Sequence, residues 1–264
     1  MPYRMVARLP RPELSGLVVV IADYVEIGPI PFLQREPAAL VVPLLIGFAA
    51  PFAIGLGRPP APDERWQSFA AGLTLEPAVI RSPGQAACLQ VNFTPLGARA
   101  FFGGALTDLA GRLVSLDDLG DPAITRLRQR LGETADPERR LDLAEDFVMQ
   151  RLARGRRAPD MVAAAYRAIV ACEGRLSVGA LAAAIGCSRK HLAARFAAEF
   201  GARPKQVARL ARFAAARRMA RQAPAPGWAD IAAATGYADQ AHLAREFRAL
   251  SGLAPTDWAA APGG

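Results

Sequence analysis

Histidine and cysteine are scarce in this chain, with two and three copies in 264 residues. Cys88, Cys172 and Cys187 are too far apart for a metal knuckle or a disulfide framework, and an odd number of thiols suits a reducing compartment. The carboxylates of Asp23, Glu26, Glu36, Asp63, Glu64 and Glu76 come with no spaced histidine and no activated serine or cysteine. The Gly-Leu-Gly at 55–57 and the Gly-Gly at 103–104 lack the remaining glycines and the lysine of a phosphate loop. Nothing here points to an enzyme, a metal site or a cofactor. A long unbroken apolar run is missing too. Residues 38–57 carry no charge and would be long enough to span a bilayer, but Pro43, Gly47, Pro51, Gly55 and Gly57 interrupt them, and the pieces between read as buried strands. Arg4, Arg8 and Arg11 precede no compact apolar segment with a cleavage site, so neither secretion nor a membrane location is expected. The expected location is cytoplasmic.

What the chain does have is a pattern written twice. Leu181-Ala-Ala-Ala-Ile-Gly186 returns as Ile231-Ala-Ala-Ala-Thr-Gly236, and His191, Leu192, Phe196, Gly201 and Pro204 return as His242, Leu243, Phe247, Gly252 and Pro255. Each copy reads as a short helix, a tight turn and a second helix with an apolar edge, the form of a helix-turn-helix. In the first copy Val178 to Ile185 forms a helix that Gly186 ends in a left-handed conformation. Cys187 is expected as a small buried group in the turn. Ser188 is placed to cap the next helix, whose Leu192, Phe196 and Phe200 recur at i, i+4 and i+8. In the second copy Tyr237 fills the turn, Asp239 caps, and Leu243, Phe247 and Leu250 make the core stripe before Gly252. His191 and His242, beside the core leucines, are expected to serve helix packing rather than metal binding or catalysis.

Spacing alone leaves open a helical bundle that dimerises or packs on another protein. Charge favours a different partner. Residues 159–264 hold 14 basic against 7 acidic side chains, while residues 1–158 hold 18 against 17. Between Arg189 and Arg221 there are ten basic residues and one acid, Glu199. A basic surface coinciding with two helix-turn-helix units suits phosphate, hence double-stranded DNA.

The run from Ile231-Ala-Ala-Ala-Thr-Gly236 through Asp239-Gln-Ala-His-Leu-Ala-Arg-Glu-Phe247 to Ser251-Gly-Leu-Ala-Pro-Thr-Asp-Trp258 resembles the signature of the AraC/XylS family of bacterial transcription regulators. The resemblance implies two helix-turn-helix units joined by a long helix, with the second helix of each unit in a major groove. The connector would run from Pro204 to about Arg221 and span about 27 Å. With the two units' own width added, that length allows recognition helices in successive grooves, roughly 34 Å apart. On the first such helix base reading would rest on Arg189 and Lys190, because the positions that are usually polar in the family are Ala193 and Ala194. On the second, Gln240, Arg245 and Arg248 lie away from the core, and Arg245 matches a position that commonly reads a base. Arg195, Arg203, Lys205, Arg209 and Arg212 would hold phosphates. Further partners implied are a small-molecule effector, a second copy of the chain in a homodimer, and RNA polymerase. The alternative is a structural, nucleoid-associated DNA-binding protein without ligand sensing.

The expected fold class is α+β, a mainly β amino-terminal domain with flanking helices followed by an all-α domain of two helix-turn-helix units and their connector. The expected division is 1–154 as a sensory or dimerisation domain, 155–159 as linker and 160–264 as the tandem helix-turn-helix domain. Strands are expected at 16–27, 40–46, 52–56, 66–75, 78–81 and 86–93. Thr94 should cap a helix that opens with Pro95 and runs through Phe102. The piece Asn92-Phe-Thr-Pro-Leu-Gly-Ala-Arg-Ala-Phe-Phe-Gly103, with Leu116-Asp-Asp-Leu-Gly120, resembles the amino-terminal sensory domain of some AraC-like regulators. An amphipathic helix from Pro137 to Ala153 either packs inward or joins a partner subunit. Another, Asp160 to about Cys172, would begin the carboxy-terminal domain.

Overall fold

The computed structural model describes residues 2–28 and 30–261; residues 1, 29 and 262–264 of the expected domains lie outside the described residues. Among the described residues ten strands come first: β1 (Tyr3–Arg8), β2 (Val18–Glu26), β3 (Phe32–Glu36), β4 (Val42–Gly47), β5 (Phe52–Leu56), β6 (Arg65–Trp66), β7 (Ser68–Ala71), β8 (Ala78–Ser82), β9 (Ala87–Phe93) and, after helix α1 (Pro95–Phe102), β10 (Leu113–Ser115). They form two antiparallel sheets, one in the order β1-β2-β9-β4-β7-β10 and one in the order β3-β8-β5-β6. Helices α2 (Pro122–Glu133) and α3 (Pro137–Arg154) follow. The remainder is helical: α4 (Asp160–Ala171), α5 (Val178–Ile185), α6 (Arg189–Phe200), α7 (Pro204–Ala220), α8 (Trp228–Thr235), α9 (Gln240–Ser251) and α10 (Pro255–Ala260). Among the described residues no helix is long and apolar enough to cross a membrane.

The larger sheet has two faces because side chains alternate along each strand. Ile21, Leu44, Ile46, Leu89, Val91 and Phe93 point to the face covered by α1 and α3 and are almost wholly buried. Their neighbours in sequence, including Ala22, Tyr24, Leu45, Cys88 and Gln90, point to the smaller sheet. There a second, smaller apolar cluster forms from Tyr24, Phe52, Ile54, Phe69, Ala86 and Cys88.

Helix α3 packs inward, which decides the alternative that its sequence left open. Leu141, Ala144 and Val148 are buried, and two charged residues on the same helix go with them. Arg140 meets Asp23 of β2 at 3.1 Å, donates to the carbonyls of Leu131 and Thr134, and lies 4.7 Å over the Phe48 ring. Glu145 receives Arg8 and Arg11 at 3.4 and 3.1 Å and the Arg11 backbone N–H at 2.7 Å. Asp23 is therefore a structural ion-pair partner, and Glu26 accepts bonds from the Tyr24 hydroxyl and the Ala86 N–H.

Several local expectations differ from the structure. Strands β1, β3 and β10 and helices α2 and α10 were not foreseen, and the strand expected at 66–75 is two short ones, β6 and β7, ending at Ala71. Cys187 is half-buried rather than buried. The stretch 155–159 is no open spacer: Gly155 sits so close to α1 that a Cβ there would lie 2.1 Å from the Ala100 carbonyl oxygen. Gly155→Ala is expected to cost about 1–3 kcal/mol, the usual range for overpacking. Urea unfolding checks it, and a midpoint equal to that of the parent would show that the junction yields freely.

Candidate nucleic-acid interface

Each helix-turn-helix is built by the devices its sequence announces. Ser177, Ser188 and Asp239 accept the N–H of Ala180, His191 and His242 at 3.1, 3.1 and 2.6 Å and so cap α5, α6 and α9. Gly186 and Gly236 end the first helices in the left-handed region at φ 77° and 78°. Leu192, Phe196 and Phe200 of α6 are buried, with Phe200 edge-on to Tyr166 of α4 at 5.8 Å. In the second unit Phe247 of α9 is packed by Phe213 of the connector α7 at 5.0 Å, by Trp228 at 5.6 Å and by Trp258 at 5.3 Å. His191 is exposed; His242 lies edge-on to Tyr237 at 5.3 Å and its Nδ1 accepts the Ala238 N–H at 3.4 Å. That is a bond within its own turn rather than between helices.

With the apolar edges fixed inward, the polar residues of α6 and α9 are left facing out. Arg189, Lys190 and Arg195 of α6 are exposed, as are Gln240, Arg245 and Arg248 of α9. Among the described residues, Arg195 is the one of these within reach of an acid, Glu199 one turn on at 3.8 Å. Arg203 and Lys205, at the start of α7, are exposed too. The two helices correspond with an offset of 51, so Arg245 and Arg248 stand where the first unit has Ala194 and Ala197, and Arg189 stands where the second has Gln240. The outward chemistry of the units therefore differs.

Arg209 and Arg212 are placed otherwise. Arg209 meets Glu246 of α9 at 2.6 Å and Arg212 approaches it at 3.8 Å while lying 5.5 Å over the Tyr237 ring, and both are only partly exposed. These two arginines dock the connector α7 on α9. Glu246 escaped the sequence reading; its signal was an acid flanked by Arg245 and Arg248.

The amino-terminal domain grips both units at the same place. The Leu106 N–H donates to the Glu199 carbonyl at 3.0 Å, and the Ala38 N–H donates to the Leu250 carbonyl at 2.7 Å. Glu199 and Leu250 are equivalent positions in the two repeats. The glycines that follow, Gly201 and Gly252, lie against Leu106 with Ala110 and against Arg35 with Pro77. Arg99 of α1 adds an ion pair to the Glu199 side chain at 2.7 Å, with both groups largely shielded from water.

A helix-turn-helix domain family model matches residues 181–261. Solved structures similar to this chain include ToxT from Vibrio cholerae at 8% identity, covering 98% of each chain with a TM-score of 0.49. A structure of unsaturated fatty acid bound wild-type ToxT from Vibrio cholerae matches at 8% identity over 97% of this chain and 94% of that one, with a TM-score of 0.47. The AraC-like transcriptional activator CuxR matches at 18% identity over 73% and 79%, with a TM-score of 0.29. No curated protein matches the chain. The duplicated motif, its caps and the matched model together identify residues 181–261 as a helix-turn-helix domain with an outward basic face.

Proposed function

We propose that the two helix-turn-helix units read one asymmetric duplex site and that a small molecule held by the amino-terminal domain controls the reading. The observation that carries the first part is the outward set on α9. Gln240, Arg245 and Arg248 supply the hydrogen-bonding heads that α6 replaces in part by alanine. Arginine recognises guanine through two parallel bonds in the major groove, while alanine offers at most a methyl contact. Arg189 and Lys190 give the first unit a shorter reading surface, and Arg195, Arg203 and Lys205 contact phosphates. Arg209 and Arg212 contribute charge to the same surface while held by Glu246.

Effector control is supported by connectivity. Residues 36–38 line a cavity between the two sheets, and Ala38 also bonds the end of α9. A ligand that shifts this segment changes what holds the second recognition helix. In this reading residues 1–154 form the sensory domain, 155–159 the junction and 160–264 the reader, and the chain works in the cytoplasm. A homodimer and a contact with RNA polymerase complete it.

Selection of bound duplexes from a randomised pool by the full chain tests the reading. We expect one enriched site with two segments separated by about 10–10.5 base pairs, the segment under the second unit being the more strictly specified. Equal retention of unrelated duplexes would instead support a structural role on DNA.

A further inference from the structure

The cavity between the sheets measures about 390 Å³, within the range of small-molecule sites. Its walls are mostly apolar, with Leu45, Phe52, Ile54 and Phe69 among them, and its polar groups are unusual in sign. Two carboxylates, Glu36 and Glu76, lie at it together with the amides of Gln34, Gln90 and Asn92. Among the described residues no lysine or arginine lines it. The Gln90 Nε2 donates to the Asn92 Oδ1 at 2.9 Å, which leaves the Gln90 oxygen and the Asn92 nitrogen for a guest.

One group on the wall reports the same sign. The Cys88 thiol on the wall is pushed up by burial and then by the charges of Asp23 and Glu26. Glu36 is open to the cavity but crowded by protein, so desolvation raises its carboxyl and Arg217 pulls it back. Arg217 comes from α7, outside the lining, and is itself packed over Phe213 at 5.6 Å and Trp258 at 5.4 Å. A carboxylate guest would meet two carboxylates and no free cation on the wall. An ammonium guest would meet two acceptors of opposite charge, and hydrogen bonds between charged partners are stronger than neutral ones.

We propose that the ligand of this cavity is a compact apolar molecule bearing an amine, with a neutral hydroxyl tolerated and a carboxylate rejected. The proposal rests on effector control as read above and adds the ligand's chemistry. Glu36 and Glu76 bind the ammonium, and the Gln90–Asn92 pair accepts the polar remainder.

Calorimetric titration of the full chain with adamantylmethylamine, adamantylmethanol and adamantane carboxylate tests it. The amine is expected to bind about tenfold tighter than the carboxylate, with the alcohol between them, which is the discrimination expected of a charge-assisted bond. The Glu36→Gln, Glu76→Gln double variant should lose the preference for the amine and bind it no more tightly than the alcohol. Both side chains are exposed, so the fold should survive, and circular dichroism melting verifies that. Binding of the carboxylate as tight as the amine, a preference that persists in the double variant, or no heat from any of the three would overturn the proposal. Duplex selection with the same preparation separates the two failures. Site preference retained alongside a failed titration rejects the ligand class alone, whereas absent site preference rejects the regulator reading and leaves the titration to be judged by itself.

Discussion

Asp23→Ala is expected to lower the unfolding free energy by about 3–5 kcal/mol, because it removes one partner of a buried ion pair and leaves the other behind. The pair joins β2 to α3, with the two side chains 1% and 11% exposed. Arg140 keeps its bonds to the Leu131 and Thr134 carbonyls in the variant, and its contact with Phe48, so the loss should fall toward the lower end. Replacing both partners with apolar residues of similar size, Asp23→Leu with Arg140→Met, is expected to recover much of it, since neither charge then has to be desolvated. Urea denaturation of the three variants measures this. A single-variant loss below about 1 kcal/mol, the level of an exposed pair, would mean that water reaches the site.

Arg245→Ala is expected to reduce the preference for the selected duplex by about 1–3 kcal/mol, or roughly five- to 150-fold, while affinity for random DNA changes little beyond the loss of one charge. Lys205→Ala should weaken both duplexes alike and lower the salt slope by about one phosphate contact. Lys205 is the better probe of phosphate binding than Arg209. Removing Arg209 also strips Glu246 of its 2.6 Å partner and loosens α7 from α9, so its effect mixes docking with charge. Binding isotherms for both duplexes at several salt concentrations separate the cases. Equal losses for Arg245→Ala on selected and random DNA would assign that arginine to the backbone instead of a base.

The helix-turn-helix units were legible because their signals are local. A capping serine or aspartate, a glycine at the left-handed end and apolar residues every fourth position act within one or two turns, so Val178–Ile185 and Arg189–Phe200 could be bounded from composition and spacing. The amino-terminal domain was partly legible. Central strands such as β4 and β9 carry dense apolar runs, whereas β1 and β3 lie at sheet edges with exposed, mixed side chains and are held by backbone pairing with β2 and β8. Helix α2 did carry a signal in Asp121, Pro122 and the Ile124, Leu127, Leu131 spacing, and it went unread.

The sequence by itself determined the duplicated helix-turn-helix, the caps that shape it, and the concentration of positive charge upon it. Tertiary structure decided which of those charges are free. Arg209 and Arg245 are alike in composition and in helical setting, yet α7 packing on α9 brings Glu246 to the first across 37 positions, and the second stays in solvent. It also decided that Ala38 and Leu106, which carry no signal in the chain, hold equivalent carbonyls of α6 and α9. The same holds for the cavity. Side-chain alternation says which residues face the gap between the sheets, but whether they fill it depends on the separation of two sheets joined through distant strands, and that is a property of packing alone.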